Sequence, residues 1–287
     1  MKRHIRDIFK GFAYILLYVV GQEIAVFFLS FYFSFQSAME NPDAMSTEAG
    51  MMQMMEDVTA RILEAQGPLL MIAFLITMLV LTVFFRARGK RLREEVWAMP
   101  VRITMLWPVV LLGASLALVT CYLISVIPWP EEMLATYETL YANTVDTSVL
   151  TFFVTVLFAP ILEEVIFRGL AFTRFCRVMP PMAALLLSAV IFGAFHGALI
   201  WMIYAIIGGA AMTLVYMKYR SLYASILMHM VFNVVGGYLV TLIVTPSAAV
   251  DLLILGAAAA VLAGVSLYLL RVPYEKLAPK KKGEIVE

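Results

Sequence analysis

The sequence predicts an all-α integral membrane protein: a single membrane domain over residues 1–287, folded as a bundle of about eight transmembrane helices with both termini cytoplasmic. Three observations predict it: the composition, the spacing of the apolar runs, and the alternation of charge between them. Of the 287 residues, 63% are hydrophobic and 14% charged, with a mean hydropathy of +0.91. A soluble domain is roughly half apolar and a quarter charged, so the medium around most of this chain should be lipid. Backbone groups in lipid find no water, which makes helices the expected form.

A spanning helix needs roughly 20 apolar residues. Runs that qualify cover 11–35, 68–85, 103–127, 149–170, 182–198, 199–217, 222–244 and 248–270. The fifth and sixth are nearly continuous, joined at His196-Gly197-Ala198. The first run exceeds the roughly 7–15 residues of a signal-peptide core and lacks a convincing cleavage site, so a retained helix is expected. Between the first two runs, the Met-rich acidic stretch Met51–Gln66 reads equally as a short helix on the membrane or as a solvated connection.

Every second connection is basic. Lys2, Arg3, Arg6 and Lys10 precede the first run, and Arg86, Arg88, Lys90, Arg91 and Arg93 follow the second. Arg174 and Arg177 follow the fourth, Lys218 and Arg220 the sixth, and the tail over 272–287 carries Lys276, Lys280, Lys281 and Lys282. The connections between are acidic or neutral: 36–67 holds Glu40, Asp43, Glu48, Glu56, Asp57 and Glu64, and 128–148 holds Glu131, Glu132, Glu138 and Asp146. Basic connections stay in the cytoplasm, which sets the orientation and requires an even number of spans. The expected location is the inner membrane of a prokaryotic cell. The basic residues are scattered and form no large patch, so nucleic-acid binding is not expected. Cys121 and Cys176, the two cysteines, read as unpaired thiols. No internal repeat or second domain is evident.

Ionisable residues inside a span are expensive and face a protein interior or a water-filled cavity. Here they are Glu23, Glu163, Glu164, Arg168, His196, His229 and Asp251, and two of the three histidines are among them. Glu164 and Arg168 stand four apart with the acid on the N-terminal side, the favourable orientation for a helical ion pair. Glu163 is left on a neighbouring stripe. Phe192 and His196 share one helix face, as do His229 and Asn233. Gly193, Gly197, Gly236 and Gly237 would let these helices approach closely, and Pro160 removes a backbone hydrogen bond near the carboxylates. Such a set can hydrolyse an acyl bond. A carboxylate and an imidazole can share and activate a water, and a second imidazole with an amide one turn away can face a developing oxyanion.

The order Glu163-Glu164…Arg168, Phe192…His196, His229…Asn233 on successive membrane helices, roughly 149–244, resembles the CPBP (Abi) family of intramembrane glutamic proteases. That family includes the CAAX prenyl endopeptidases and bacterial relatives linked to bacteriocin immunity. The resemblance implies an eight-helix fold and a metal-independent endopeptidase without a cofactor. It implies that Glu163 and His196 activate water and that His229 and Asn233 form the oxyanion site. Glu164 and Arg168 stand in support, with either glutamate open as the base. Phe192 reads as packing, and Arg168 equally as a snorkelling cation. Glu23 would line the same cavity or pair with another helix, and Asp251 would be interfacial. The partners expected are membrane lipids and a peptide or protein substrate at the membrane, possible lipidation included.

Other readings compete. Glu, His and His could hold zinc with an open fourth position, although no H-E-x-x-H occurs. A proton-coupled transporter also uses buried Glu and His, and a non-catalytic scaffold of the same fold would carry the same residues. One expectation is in tension with the rest. At ~1.5 Å per residue, Glu163 and His229 lie roughly 10 Å from the cytoplasmic side and His196 roughly 20 Å, too different for residues that share a water.

Overall fold

In a computed structural model of the chain, residues 2–145, 148–243 and 247–277 are described. Asp146 and the tail beyond 277, with Lys280, Lys281 and Lys282, lie outside them. The described residues are helices and short turns, with no strand among them. The chain is an all-α, multi-pass integral membrane protein. Its main helices are α1 (Lys2–Glu40), α2 (Glu48–Glu64), α3 (Gln66–Arg86), α4 (Trp107–Val126), α5 (Glu131–Thr144), α6 (Val149–Phe175), α7 (Pro181–Ala194), α8 (Leu199–Tyr219), α9 (Leu222–Ile243) and α10 (Ala248–Arg271).

Seven of these are long and apolar enough to cross a membrane, and they coincide with seven of the eight apolar runs. The fifth run differs: α7 ends at Ala194 and has 14 residues, about 21 Å at 1.5 Å per residue and less than a full hydrocarbon core. The break falls at Gly197, whose φ of +75° suits a residue without a side chain and reverses the chain into α8. α7 and α8 pack along each other as a hairpin. The shorter helix therefore leaves residues 176–180 and 220–221 at the same end of the bundle.

The two polar connections also fold. Met51–Gln66 falls within α2 and the start of α3. Thr47 caps the first turn of α2 by accepting from the Gly50 N–H, and Arg61 pairs with Glu40 at 2.7 Å and with Asp57 at 2.9 Å, fastening α2 to the end of α1. Residues 131–144 form α5, which packs against α8.

α6 lies centrally, touching α1, α3, α7 and α9, while α4 packs on α9 and α10. At the end of the bundle that carries the basic connections, segment 92–105 folds inward. Tyr216 donates its hydroxyl to the Val96 carbonyl (3.2 Å) and Tyr219 to that of Met105 (2.8 Å). The Leu222 N–H donates to the Trp97 carbonyl (3.0 Å) and Ser221 to that of Met99 (2.5 Å). The start of α9 is thus sunk beneath this segment. Glu95 anchors it, accepting from Lys90 at 2.5 Å and Arg174 at 3.0 Å. The Lys90 hydrogen bond, then the charges of Lys90 and Arg174, hold the Glu95 carboxyl below the usual carboxylate range.

Candidate active site

The local geometry of α6 starts from Pro160. Around Val154–Phe158 the helix widens to a π-helical turn, in which the Ala159 N–H donates to the Val154 carbonyl five residues back. In that register the Thr155 carbonyl would need the N–H of residue 160, which proline lacks. Asn233 supplies the donor: its Nδ2 bonds the Thr155 carbonyl at 2.8 Å. The expected kink residue therefore creates an acceptor that ties α6 to α9. One amide hydrogen of Asn233 remains available.

A second π-helical stretch, Glu164–Phe172, follows Glu163. The two glutamates part company there. Glu164 is fully buried and saturated: its Oε1 accepts from Arg168 Nη1 at 2.7 Å and His229 Nδ1 at 2.9 Å, and its Oε2 from Ser225 Oγ. Arg168 is equally buried and spends its other donors on the Gly209 carbonyl (2.9 Å) and Thr213 Oγ1 (3.3 Å). It also lies over the Phe192 ring, 4.4 Å from its centroid. Gly209 permits this approach, since a Cβ there would sit 2.9 Å from Phe192 and 3.1 Å from the guanidinium. Arg168 does not snorkel. It neutralises Glu164, offsetting part of the desolvation both charges incur.

Glu163 faces a cavity of about 350 Å³ that His196, His229, Asn233 and Phe192 also line. Its Oε1 accepts from the Tyr18 hydroxyl of α1 at 3.1 Å, and its Oε2 lies 3.7 Å from His229 Nε2. A carboxylate only accepts, so His229 Nδ1 carries its proton toward Glu164 and its Nε2 is the edge turned to Glu163. His196 Nδ1 is 2.9 Å from the Phe192 carbonyl. A carbonyl also only accepts, which leaves the lone pair on His196 Nε2. The Phe192 ring sits between the two imidazoles, its centroid 4.8 Å from that of His196 and 5.9 Å from that of His229.

The five polar residues read from the sequence thus meet, four on the cavity and Glu164 behind them. Gly193 and Gly236 allow the close approach expected of them: a Cβ would come within 2.8 Å of the Met202 carbonyl and 2.3 Å of the Tyr204 hydroxyl, respectively. Gly237 meets no such constraint. Glu23 is exposed and does not line the cavity, whereas its neighbour Gln22 does. Asp251 accepts from Tyr122 at 3.4 Å. The expected depth mismatch resolves through the boundaries. α6 runs five residues past 170, to Phe175, which sets Glu163 about 7.5 Å deeper at 1.5 Å per residue. The start of α9 is covered by segment 92–105, so its helix end is not the edge of the bundle from which His229 should be counted, and Glu163, His196 and His229 line one cavity. Among the described residues, no group of three or more His, Cys, Asp or Glu side chains is placed to hold a metal ion.

Sequence reasoning missed Tyr18, Ser225, Thr213 and Thr155. Ser225 was within reach, because Ser225, His229 and Asn233 repeat every four residues on one stripe of α9. Tyr18 carries no local signal: it comes from the first helix and meets Glu163 only through the packing of α1 on α6.

Residues 145–235 match the family model described as type II CAAX prenyl endopeptidase Rce1-like. This stretch of the chain is Rce1-like. The match spans α6 to the middle of α9, the helices that carry the sequence motifs, and bears out the resemblance to CPBP proteases. No curated protein and no solved structure matches the chain at a significant level. The Rce1-like segment contributes Glu163, Glu164, Arg168, His196, His229 and Asn233, while Tyr18 comes from outside it.

Proposed function

We propose that the protein is an intramembrane endopeptidase whose base is Glu163. The observation that carries this reading is the division of labour between adjacent carboxylates. Glu164 has its oxygens occupied and no access to the cavity, whereas Glu163 opens onto it beside two imidazoles. A base must reach its proton directly or through one water, and only Glu163 does.

In the proposed reaction a water sits between the Glu163 carboxylate and His196 Nε2. Glu163 takes one of its protons as the oxygen attacks the peptide carbonyl carbon. The oxyanion that forms is met by the spare Nδ2 hydrogen of Asn233 and by His229. The Nδ1–H of His229 is committed to Glu164, so a proton on Nε2 makes the ring an imidazolium, which suits a developing negative charge. Collapse breaks the C–N bond, and Glu163 passes its proton to the leaving amine. Glu164, held by Arg168 and Ser225, positions His229. The same reading keeps both termini in the cytoplasm, a topology that the alternation of basic and acidic connections along the sequence supports.

The test uses purified protein in detergent with internally quenched peptides blocked at both ends. Cleavage is expected from the native protein, unaffected by a chelator, and a fall of about a thousandfold or more from Glu163→Gln, in the range of losing a positioned acid–base group. Equal rates for the two proteins would overturn the proposal. Loss of activity on chelation, restored by zinc, would transfer it to the metal reading.

A further inference from the structure

Resting on the peptidase reading of this site, we infer that Tyr204 is a substrate-binding residue: its hydroxyl donates to a backbone carbonyl of the bound peptide, two residues from the scissile one. Tyr204 of α8 lines the same cavity as Glu163, His196, His229 and Asn233. Its ring packs on Phe232 of α9, 4.5 Å between centroids. Its hydroxyl is pressed against the backbone of Gly236, where a Cβ would sit 2.3 Å from the oxygen. Even so, that hydroxyl makes no hydrogen bond among the described residues. Three other tyrosines of the cavity spend theirs: Tyr18 on Glu163, Tyr141 on the Gly237 carbonyl and Tyr238 with Thr155. Tyr137 is free as well, but it belongs to α5 and lies against Trp201 instead of α9.

The hydroxyl is open as well as free. Among the described residues, the sealed side-chain atoms that lack a partner are Thr77 Oγ1 and Arg174 Nε. The Tyr204 oxygen is not one of them, although the residue is half-buried, so it reaches the open space of the cavity. A peptide carbonyl drawn into an apolar site leaves its water behind and needs a donor there. The position of this one suits an extended chain. Gly236 follows Asn233 by three residues on α9, and side-chain positions so spaced lie roughly 5–6 Å apart. The Tyr204 hydroxyl stands beside the empty Cβ place of Gly236, so it follows the Asn233 amide along the helix at about that interval. In an extended peptide, carbonyls two residues apart point the same way at about 6.6–6.8 Å. With one carbonyl oxygen at Asn233, the next on that side faces Tyr204. Gly236 keeps the hydroxyl in place, since any side chain there would displace it.

The test is made on purified protein in detergent. Tyr204→Phe loses no hydrogen bond within the protein, so its unfolding midpoint should be unchanged. Its KM should rise about three- to tenfold, the size of one neutral hydrogen bond, with kcat kept, as for binding shared by ground and transition states. The amides two residues to either side of the scissile bond are then replaced in turn by an (E)-alkene, which removes the acceptor. One replacement should raise the KM of the native protein by the same factor and cost Tyr204→Phe nothing more. Gly236→Ala should also raise KM. Combined with Tyr204→Phe it should add nothing, because the ring carbon Cζ would then lie 3.5 Å from the new Cβ, an ordinary contact. Equal KM for the native protein and Tyr204→Phe, or alkene penalties undiminished in Tyr204→Phe, overturns the assignment. Binding of the unmodified peptide, carrying a tryptophan quencher, to Glu163→Gln with and without Tyr204→Phe separates this reading from the one beneath it. Binding about three- to tenfold weaker with Tyr204→Phe upholds the role of Tyr204 even where the native protein cleaves nothing, and then the hydrolase reading alone falls. Equal affinities, or binding by neither, overturn the role itself.

Discussion

Arg168→Met should destabilise the protein strongly, and adding Glu164→Gln should restore much of the loss. The guanidinium gives Glu164 its 2.7 Å partner, and neither side chain reaches solvent. Removing one member of a buried pair strands the other and costs about 3–5 kcal/mol. Glu164 would keep its contacts to Ser225 and His229, which places the expected loss near the lower end, about 3 kcal/mol. At roughly 2–4 °C per kcal/mol for chains of this general size, the unfolding midpoint in detergent should fall by about 6–12 °C, read by tryptophan fluorescence. In the double variant no stranded charge remains, and the midpoint should recover to within about 1–2 kcal/mol of the native protein, the size of a few imperfect hydrogen bonds. An unchanged midpoint in Arg168→Met, or a double variant no better than the single, would refute the claim that Arg168 is there to neutralise Glu164.

Four further outcomes are expected. Ser225→Ala should lower stability by about 1–3 kcal/mol, as for any buried acceptor left unmet, with denaturation in detergent as the readout. Asn233→Ala should reduce kcat by about a hundredfold or more if its amide meets the oxyanion, with a smaller effect on KM; loss confined to KM would contradict that role. Tyr18→Phe should leave the protein folded and lower kcat with little change in KM, because it frees one oxygen of Glu163 while keeping the aromatic ring that lines the cavity; an unchanged kcat would remove Tyr18 from the positioning of the base. The Glu95 cluster gives the pH test. A carboxyl held below its ordinary range contributes stability that is present above its unfolded pKa and lost as pH falls through the lower folded value. Acid should therefore loosen segment 92–105, seen as faster proteolysis there below about pH 4.5, and Glu95→Gln should show the same looseness at neutral pH.

Most of the helices were legible because lipid imposes one rule, an apolar run of sufficient length, and the charges between runs follow another. The fifth run shows where this fails. Hydropathy continues smoothly through His196-Gly197-Ala198, yet the helix stops at Ala194, because the chain reverses at Gly197 and the imidazole turns into the cavity. Hydropathy does not sense a reversal made inside the protein. The same limit explains α9, whose first turn is covered by segment 92–105, so that counting from a presumed membrane surface misplaced His229. The site was legible as chemistry, since acids and imidazoles in lipid stand out. Which glutamate faces the cavity was not, because Glu163 and Glu164 are neighbours and differ only in what tertiary packing brings: Tyr18 to one, Arg168, Ser225 and His229 to the other. The role of Pro160 was half legible. A lost N–H could be foreseen, but its consequence, an unpaired Thr155 carbonyl taken up by Asn233, depends on the π-helical register of α6.

The most direct test of the central claim is a single turnover of the purified protein on a blocked peptide in ¹⁸O-labelled water, run beside Glu163→Gln. The account predicts one labelled oxygen in the new C-terminal carboxylate, none in the Glu163 side chain, and no product from the variant. Label appearing in Glu163, or product formed equally by the variant, would contradict it.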